Sequence, residues 1–360
     1  MDKYIDNYND SKKVTYHEQT DISNILKLRA VLKTLPDFCK DYFRAMDPLT
    51  TTKTRISYAY DIRIFFQFLL DENPAFKDYS MKDFTVDVLD QLKAIDIEEY
   101  QEYLKVYKNG DKTETNGERG LKRKISALRS FYAYYYKHEF IQTNPTVLVD
   151  VPKTHEKNII RLDADEVAML LDHIEHCGDE LTGQKRVYYE KTKERDLAIV
   201  TLLLGTGIRV SECVGLDVED VDFKNNGIKV TRKGGNEMVV YFGPEVEKAL
   251  KNYLEVRKNI IPVEGHEHAL FYSTQRKRIG IQAVENLVKK YAGAITTTKK
   301  ITPHKLRSTY GTTLYQETGD IYLVADVLGH RDVNTTKKHY AAMDDARRRK
   351  AATAVHLRED

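Results

Sequence analysis

A mainly α-helical chain with a small antiparallel β-sheet in its second half is what the sequence predicts. Three observations predict it. Apolar residues recur at helical spacing through most of the chain. One stretch, residues 221–243, instead alternates apolar and polar side chains around Asn226-Gly227 and Gly234-Gly235, the turn pairs of an antiparallel sheet. A stretch with two prolines and little periodicity, residues 142–166, divides the helical material in two. With 360 residues, the chain is long for one domain and comfortable for two.

Taken in order, residues 25–46 read as a helix or two interrupted near Pro36. In residues 56–74, Ile62, Phe65, Phe66, Leu69 and Leu70 mark one helix face, and Asn73-Pro74 ends the run. Residues 86–107 form a further helical zone. In residues 119–141, Leu121, Ile125, Leu128, Tyr132 and Tyr135 share a face, while Lys122, Arg123, Lys124 and Arg129 lie largely off it. The first half is therefore a small helical bundle. After the break, residues 162–175 open a helix with acidic residues in its first turn, where the dipole favours them. Residues 194–216 read as a buried helix, a glycine-punctuated turn and a second helix. The alternating segment follows, and helical patterns return from residue 281 onward, ending in a basic cluster and a short amphipathic piece.

Composition narrows the function classes. Apolar residues make up 41% and charged residues 31%, yet the net charge is only +2, so bulk charge does not announce a polyanionic partner, although a basic face can hide in a neutral total. Cys39, Cys177 and Cys213 are odd in number, far apart and in no CxxC spacing, which argues against a disulfide framework or a zinc site and fits a reducing, cytoplasmic setting. The polar start MDKYIDNYNDSKK is not a signal peptide, and no stretch approaches the roughly 20 apolar residues that span a bilayer. There is no GxxxxGK[ST] nucleotide loop and no carboxylate cluster suited to a two-metal nuclease. Tyrosine is abundant, at 24, and most of these must be packing or surface residues.

Five places in the second half combine a cation or proton donor with a structural break. Arg209 follows Gly205-Thr206-Gly207, and Lys233 adjoins Gly234-Gly235. His304 and Arg307 in TPHKLRST are one helical turn apart, His330 follows Gly329, and Tyr340 ends NTTKKHY. Singly, each has a bland reading: a helix-start arginine, a solvated hairpin lysine, a histidine at a helix C-cap, a packing tyrosine with Tyr310, Tyr315 and Tyr322 as rivals. Glycine-flanked turns, however, let backbone come close to a ligand, which suits residues meant to touch a phosphate.

The segments TGIRVSE, KVTRKGG, HKLRST and VLGHRDVNTTKKHY, in that order, closely resemble the tyrosine recombinase (phage integrase) family, Xer type, and KISALRSFYAYYYKHEFIQTNP resembles that family's core-binding domain. The resemblance implies a two-domain DNA clamp: an N-terminal extension at 1–34, a helical core-binding domain at 35–148, a linker at 149–160 and a catalytic domain at 161–360. It implies that Arg209 and Arg307 clamp the scissile phosphate, that Lys233 protonates the leaving 5′ oxygen, and that Tyr340 is the nucleophile. His304 and His330 would bind or buffer the phosphate, and Glu212 would hold the Arg209 guanidinium. His330 and Tyr340 stand ten positions apart, where nine is frequent in close Xer relatives.

The chemistry suits these residue types. Arginine forks hold both non-bridging oxygens at any relevant pH. A tyrosine of ordinary pKa about 10 needs nearby cations to act as phenolate. A covalent intermediate stores the energy of the broken bond, so religation needs no ATP, and the resemblance implies an enzyme without metal or cofactor. The family's partners would be double-stranded DNA and three further copies of the chain, forming a tetramer on two sites with residues 351–357 docking on a neighbour. Lys122, Arg123, Lys124 and Arg129 are candidate phosphate contacts, as is the basic, aromatic segment 178–196. A type IB topoisomerase shares the phosphate chemistry, but the core-binding segment and LGH motif argue against it. A DNA-binding factor that has lost catalysis would have dropped some of the cationic set, and here every position is filled.

Overall fold

The computed structural model describes residues 15–153, 155, 159–232, 235–330, 332–334 and 336. The chain divides into two compact units, Met1–Lys157 and Asn158–Asp360.

The first unit is a helical bundle. Its helices are α1 (Tyr16–Leu32), α2 (Cys39–Ala45), α3 (Thr52–Glu72), α4 (Val88–Gln91), α5 (Ala94–Tyr103) and α6 (Glu118–Lys137), with a hairpin of β1 (Val106–Asn109) and β2 (Lys112–Thr115) between the last two. A capping box starts α1: Thr15 Oγ1 accepts from the Glu18 amide and Glu18 accepts from the Thr15 amide. This helix lies inside the segment read as an extension, yet it buries Leu28 and Val31 in the unit's core. The predicted interruption near Pro36 is the gap between α1 and α2, and Asn73 caps α3 as expected. The core is aromatic: Phe65, Phe66, Phe131, Tyr132 and Tyr135 are all buried. Its tyrosines pack with their hydroxyls satisfied, Tyr42 on Ser130 Oγ and Tyr135 on the Phe38 carbonyl, both at 2.8 Å.

Two differences from the sequence reading stand out. Residues 86–107 are not one helical zone, because α4 and α5 are separate and the end of the zone turns into β1. The hairpin reverses at Gly110-Asp111, where Gly110 has φ +61, a conformation glycine adopts without penalty. Lys124, expected off the apolar face of α6, is buried there instead, 3.7 Å from Asp61 on α3. Asp61 is itself buried and also bonds Arg123, so α6 must turn cations toward it. Burial pushes the Asp61 carboxyl up against the pull of these two cations, and pushes the Lys124 ammonium down.

The second unit holds α7 (Ala164–His176), α8 (Gly183–Thr206), α9 (Val210–Gly215), the strands β3 (Val221–Asp222), β4 (Gly227–Thr231) and β5 (Glu237–Tyr241), then α10 (Pro244–Arg257), α11 (Ile281–Ile295), α12 (Pro303–Thr318) and α13 (Ile321–Leu328). The strands form the expected antiparallel sheet in the order β3-β4-β5, with Val221 opposite Ile228 and Thr231 opposite Glu237. The segment 178–196 belongs largely to α8, whose second half, with Ala198, Ile199, Val200, Leu202 and Leu203, is the buried helix the pattern predicted. Among the described residues, no helix is long and apolar enough to cross a membrane.

Candidate active site

The site is built where three chain reversals meet at the carboxyl end of α13. The first is the end of α8. Gly207 there has φ +63, and a Cβ on it would stand 2.4 Å from Tyr310 on α12 and 3.0 Å from Leu328 on α13, so the turn is seated against both helices. The reversal delivers Arg209 as the N-cap of α9. Glu212, buried at 5% exposure, accepts from the Arg209 amide at 2.8 Å and from its guanidinium at 2.7 Å. One carboxylate thus caps the helix and aims the arginine. The other terminal nitrogen of Arg209 donates to the Gly329 carbonyl at 3.4 Å.

The second reversal starts α12. Pro303 occupies its first position, His304 sits exposed in the first turn, and Arg307 follows one turn later. Arg307 is only 5% exposed and donates to the Gly207 carbonyl at 2.5 Å and to the Leu328 carbonyl.

The third is the end of α13. Gly329 at φ +63 closes the helix, with its amide on Asp326 O at 2.8 Å and the His330 amide on Ala325 O at 2.9 Å, a Schellman cap. This fixes His330, whose Nδ1 lies 2.7 Å from the hydroxyl of buried Thr336. A helix end carries roughly half a negative charge on carbonyls with no partner inside the helix. Here Leu328 O and Gly329 O take Arg307 and Arg209, so the arginines are held side by side by dipoles and by one carboxylate.

Arg209, Glu212, Arg307 and His330 are therefore brought together, and His304 shares a helix with Arg307. Lys233 and Tyr340 lie outside the described residues. Of the rival tyrosines, Tyr310 has its hydroxyl raised by burial, the wrong direction for a phenolate nucleophile. One residue the sequence reading passed over joins the same helix end: Arg232, which follows β4 and donates to Asp326 O at 3.3 Å and Val327 O at 2.7 Å. Its only signal in the sequence was its place directly before Lys233.

Of the four candidate DNA contacts, Arg123 and Lys124 pair with Asp61, and Arg129 donates to the carbonyls of Thr146 and Val149, while Lys122 is exposed. Among the described residues, no group of three or more His, Cys, Asp or Glu side chains could hold a metal ion.

Chemically, the arrangement suits an anion: two guanidiniums converge, Arg209 paired with Glu212 and both oriented by carbonyl dipoles that leave a net positive charge. Comparison with known proteins agrees. Residues 160–347 match the family model described as the phage integrase family. The chain is 33% identical over 315 residues to the tyrosine recombinase XerC of Caldanaerobacter subterraneus subsp. tengcongensis, covering 84% of this chain and 82% of that one. It is 31% identical over 338 residues to the tyrosine recombinase XerS of Lactococcus lactis subsp. cremoris, covering 88% and 93%. In fold it is similar to a lambda integrase tetramer bound to a Holliday junction, with a TM-score of 0.59 at 17% identity over 84% of this chain and 76% of that one.

Proposed function

The chain belongs to the phage integrase family of tyrosine recombinases, enzymes of site-specific DNA recombination, and we propose that it cuts and rejoins DNA through a 3′-phosphotyrosine formed at Tyr340. The observation that carries this reading is the meeting of Arg209 and Arg307 at the α13 carboxyl end, one residue from His330.

Each arginine gives a forked pair of donors to the non-bridging oxygens of one phosphodiester. The Tyr340 oxygen attacks phosphorus, a new P–O bond forms to the phenol, and the bond from phosphorus to the 5′ oxygen breaks. Lys233 gives that oxygen its proton, while the phenolic proton passes to a base among the site's side chains or to water. His304 and His330 support the phosphate. Charge gathering on the equatorial oxygens is met by donors that Glu212 and the helix-end carbonyls already hold in position, so little reorganisation is left for the moment of reaction. The reverse attack, by a 5′ hydroxyl of a partner strand, reseals the DNA and regenerates the phenol. The phosphotyrosyl ester keeps the energy of the original bond, so the cycle runs without ATP, and the arginines supply the positive charge that a metal would otherwise bring.

The helical first unit serves as the core-binding domain, with Lys122 among its phosphate contacts, and the second unit is the catalytic domain. The active assembly is a tetramer on two DNA sites, each protomer's residues 351–357 docking on a neighbour, and the reaction serves chromosome dimer resolution or the movement of a mobile element. Lambda integrase, similar in fold, is a tetramer when bound to a Holliday junction.

The test uses a nicked suicide duplex carrying the sequence that the full chain selects from a random DNA pool. Tyr340→Phe is expected to bind this duplex as the wild type does and to form no covalent adduct. An adduct that survives in Tyr340→Phe contradicts the assignment.

A further inference from the structure

We propose that Arg232 is a positioning residue for the acid step: it fastens the base of the β4–β5 turn to the carboxyl end of α13 and so sets the point from which Lys233 is delivered. The inference rests on the reading of Lys233 as the general acid.

Four consecutive carbonyls end α13, and three arginines from three different elements take them. Arg232 holds Asp326 O and Val327 O, Arg307 holds Leu328 O, and Arg209 holds Gly329 O. The first and last of these arginines lie close enough to feel each other. Burial lowers the Arg232 pKa, the Arg209 charge lowers it further, and Glu212 and Asp326 oppose the change. An arginine merely solvating a hairpin would point away from two like charges. Arg232 points toward them.

Its seat is shaped for it. A Cβ on Gly329 would stand 1.5 Å from the Arg232 guanidinium nitrogen and 2.3 Å from its central carbon, so the glycine that lets α13 end also makes room for this side chain. Arg232 Nε is buried without a hydrogen-bond partner among the described residues, a cost accepted to keep the two terminal nitrogens on their carbonyls. At the same residue, the backbone closes the turn: the Arg232 amide donates to Asn236 O at 2.8 Å and its carbonyl accepts from the Gly235 amide at 3.0 Å. Side chain and main chain of one residue therefore tie the turn to the helix that carries His330. Lys233 is the next residue in the chain, so fixing Arg232 fixes its point of departure. Proton delivery in a confined site is sensitive to displacement by about 1 Å.

The experiment compares single-turnover cleavage of two nicked duplexes carrying the selected sequence, one with an ordinary phosphodiester and one with a 5′-bridging phosphorothiolate. The sulfur leaves without a proton, so only loss of the acid step is rescued. Arg232→Ala is expected to slow cleavage of the ordinary duplex about 10²-fold, the scale of a displaced catalytic group, to recover most of that rate on the phosphorothiolate, and to bind DNA unchanged. Arg232→Lys, which keeps the charge but cannot fork across two carbonyls, should show the same split at a smaller size. It also guards against misfolding of the alanine variant, since its melting temperature is read in parallel. Equal slowing on both duplexes, or no slowing by either variant, overturns the inference. Lys233→Ala separates it from the reading beneath it. If Lys233→Ala is not rescued by the phosphorothiolate, the general-acid reading fails. If Lys233→Ala is rescued and a folded Arg232 variant is not, only the role of Arg232 fails.

Discussion

Two arginines of the second unit are buried to nearly the same depth, Arg195 at 8% exposure and Arg307 at 5%, and they are held in different ways. Arg195 on α8 lies against its neighbour Asp196, donating from Nε at 2.9 Å and from a terminal nitrogen at 2.6 Å, with a third bond to the Tyr272 carbonyl. Asp196 also accepts from the Tyr291 hydroxyl at 3.0 Å. Burial works against the Arg195 charge and Asp196 more than offsets it. Such a pair is neutral as a unit and offers an outside anion nothing. Arg307 gives two nitrogens to carbonyl oxygens, which orient a guanidinium without cancelling its charge. Burial alone is therefore no mark of a working arginine. In the function proposed above, what sets Arg307 apart from Arg195 is that carbonyls at a helix end orient it beside a second arginine.

The sharpest way to break this contrast is to remove Asp196. Asp196→Ala leaves Arg195 buried without its counter-charge and should cost about 3–5 kcal/mol of stability, read by urea unfolding. Cleavage per folded molecule should be unchanged, and an equal loss of both would mean that Arg195 also serves the site. Arg307→Ala should show the opposite profile. Removing one preset donor is worth about 10²–10³ in rate, and single-turnover cleavage should fall by that factor while duplex binding falls far less. If Arg307→Lys cleaves as the wild type does, the forked geometry is not what matters. Glu212→Gln keeps the shape of the cap and loses its charge; a charged hydrogen bond exceeds a neutral one by about 1 kcal/mol, so cleavage should fall roughly five- to tenfold. Unchanged cleavage would show that Arg209 is aimed by Gly329 alone. At the small end, Tyr322 is 71% exposed, and Tyr322→Phe should shift stability by no more than about 0.5 kcal/mol and leave adduct formation intact. Loss of the adduct would make this tyrosine a rival to Tyr340.

Much of this was legible in the sequence because it is written locally. The glycines of TGIRVSE and of the LGH segment mark left-handed helix ends, and Gly207 and Gly329 both take φ +63 there. The Glu212 cap lies three residues from Arg209, within reach of a spacing argument. The turn pairs around the β4 strand announced the sheet, and Gly110-Asp111 carries a similar glycine signal for the first-unit hairpin. What stayed hidden was tertiary. Lys124 turns inward because of Asp61, which sits on another helix far earlier in the chain. Arg129 bonds main-chain carbonyls of Thr146 and Val149, and Arg232 bonds carbonyls 94 and 95 positions away. A carbonyl acceptor belongs to every residue type, so such contacts leave no letter pattern to read.

The central claim is that the cationic cluster at the α13 carboxyl end presents a DNA phosphate to one phenol. The most direct measurement is to trap the covalent complex on the nicked duplex, digest both components, and identify the nucleotide-bearing peptide by mass spectrometry. The account predicts a single modified peptide, containing Tyr340 and joined to a 3′-phosphate. A label on the peptide bearing Tyr310, Tyr315 or Tyr322, or a 5′-linked nucleotide, would contradict it.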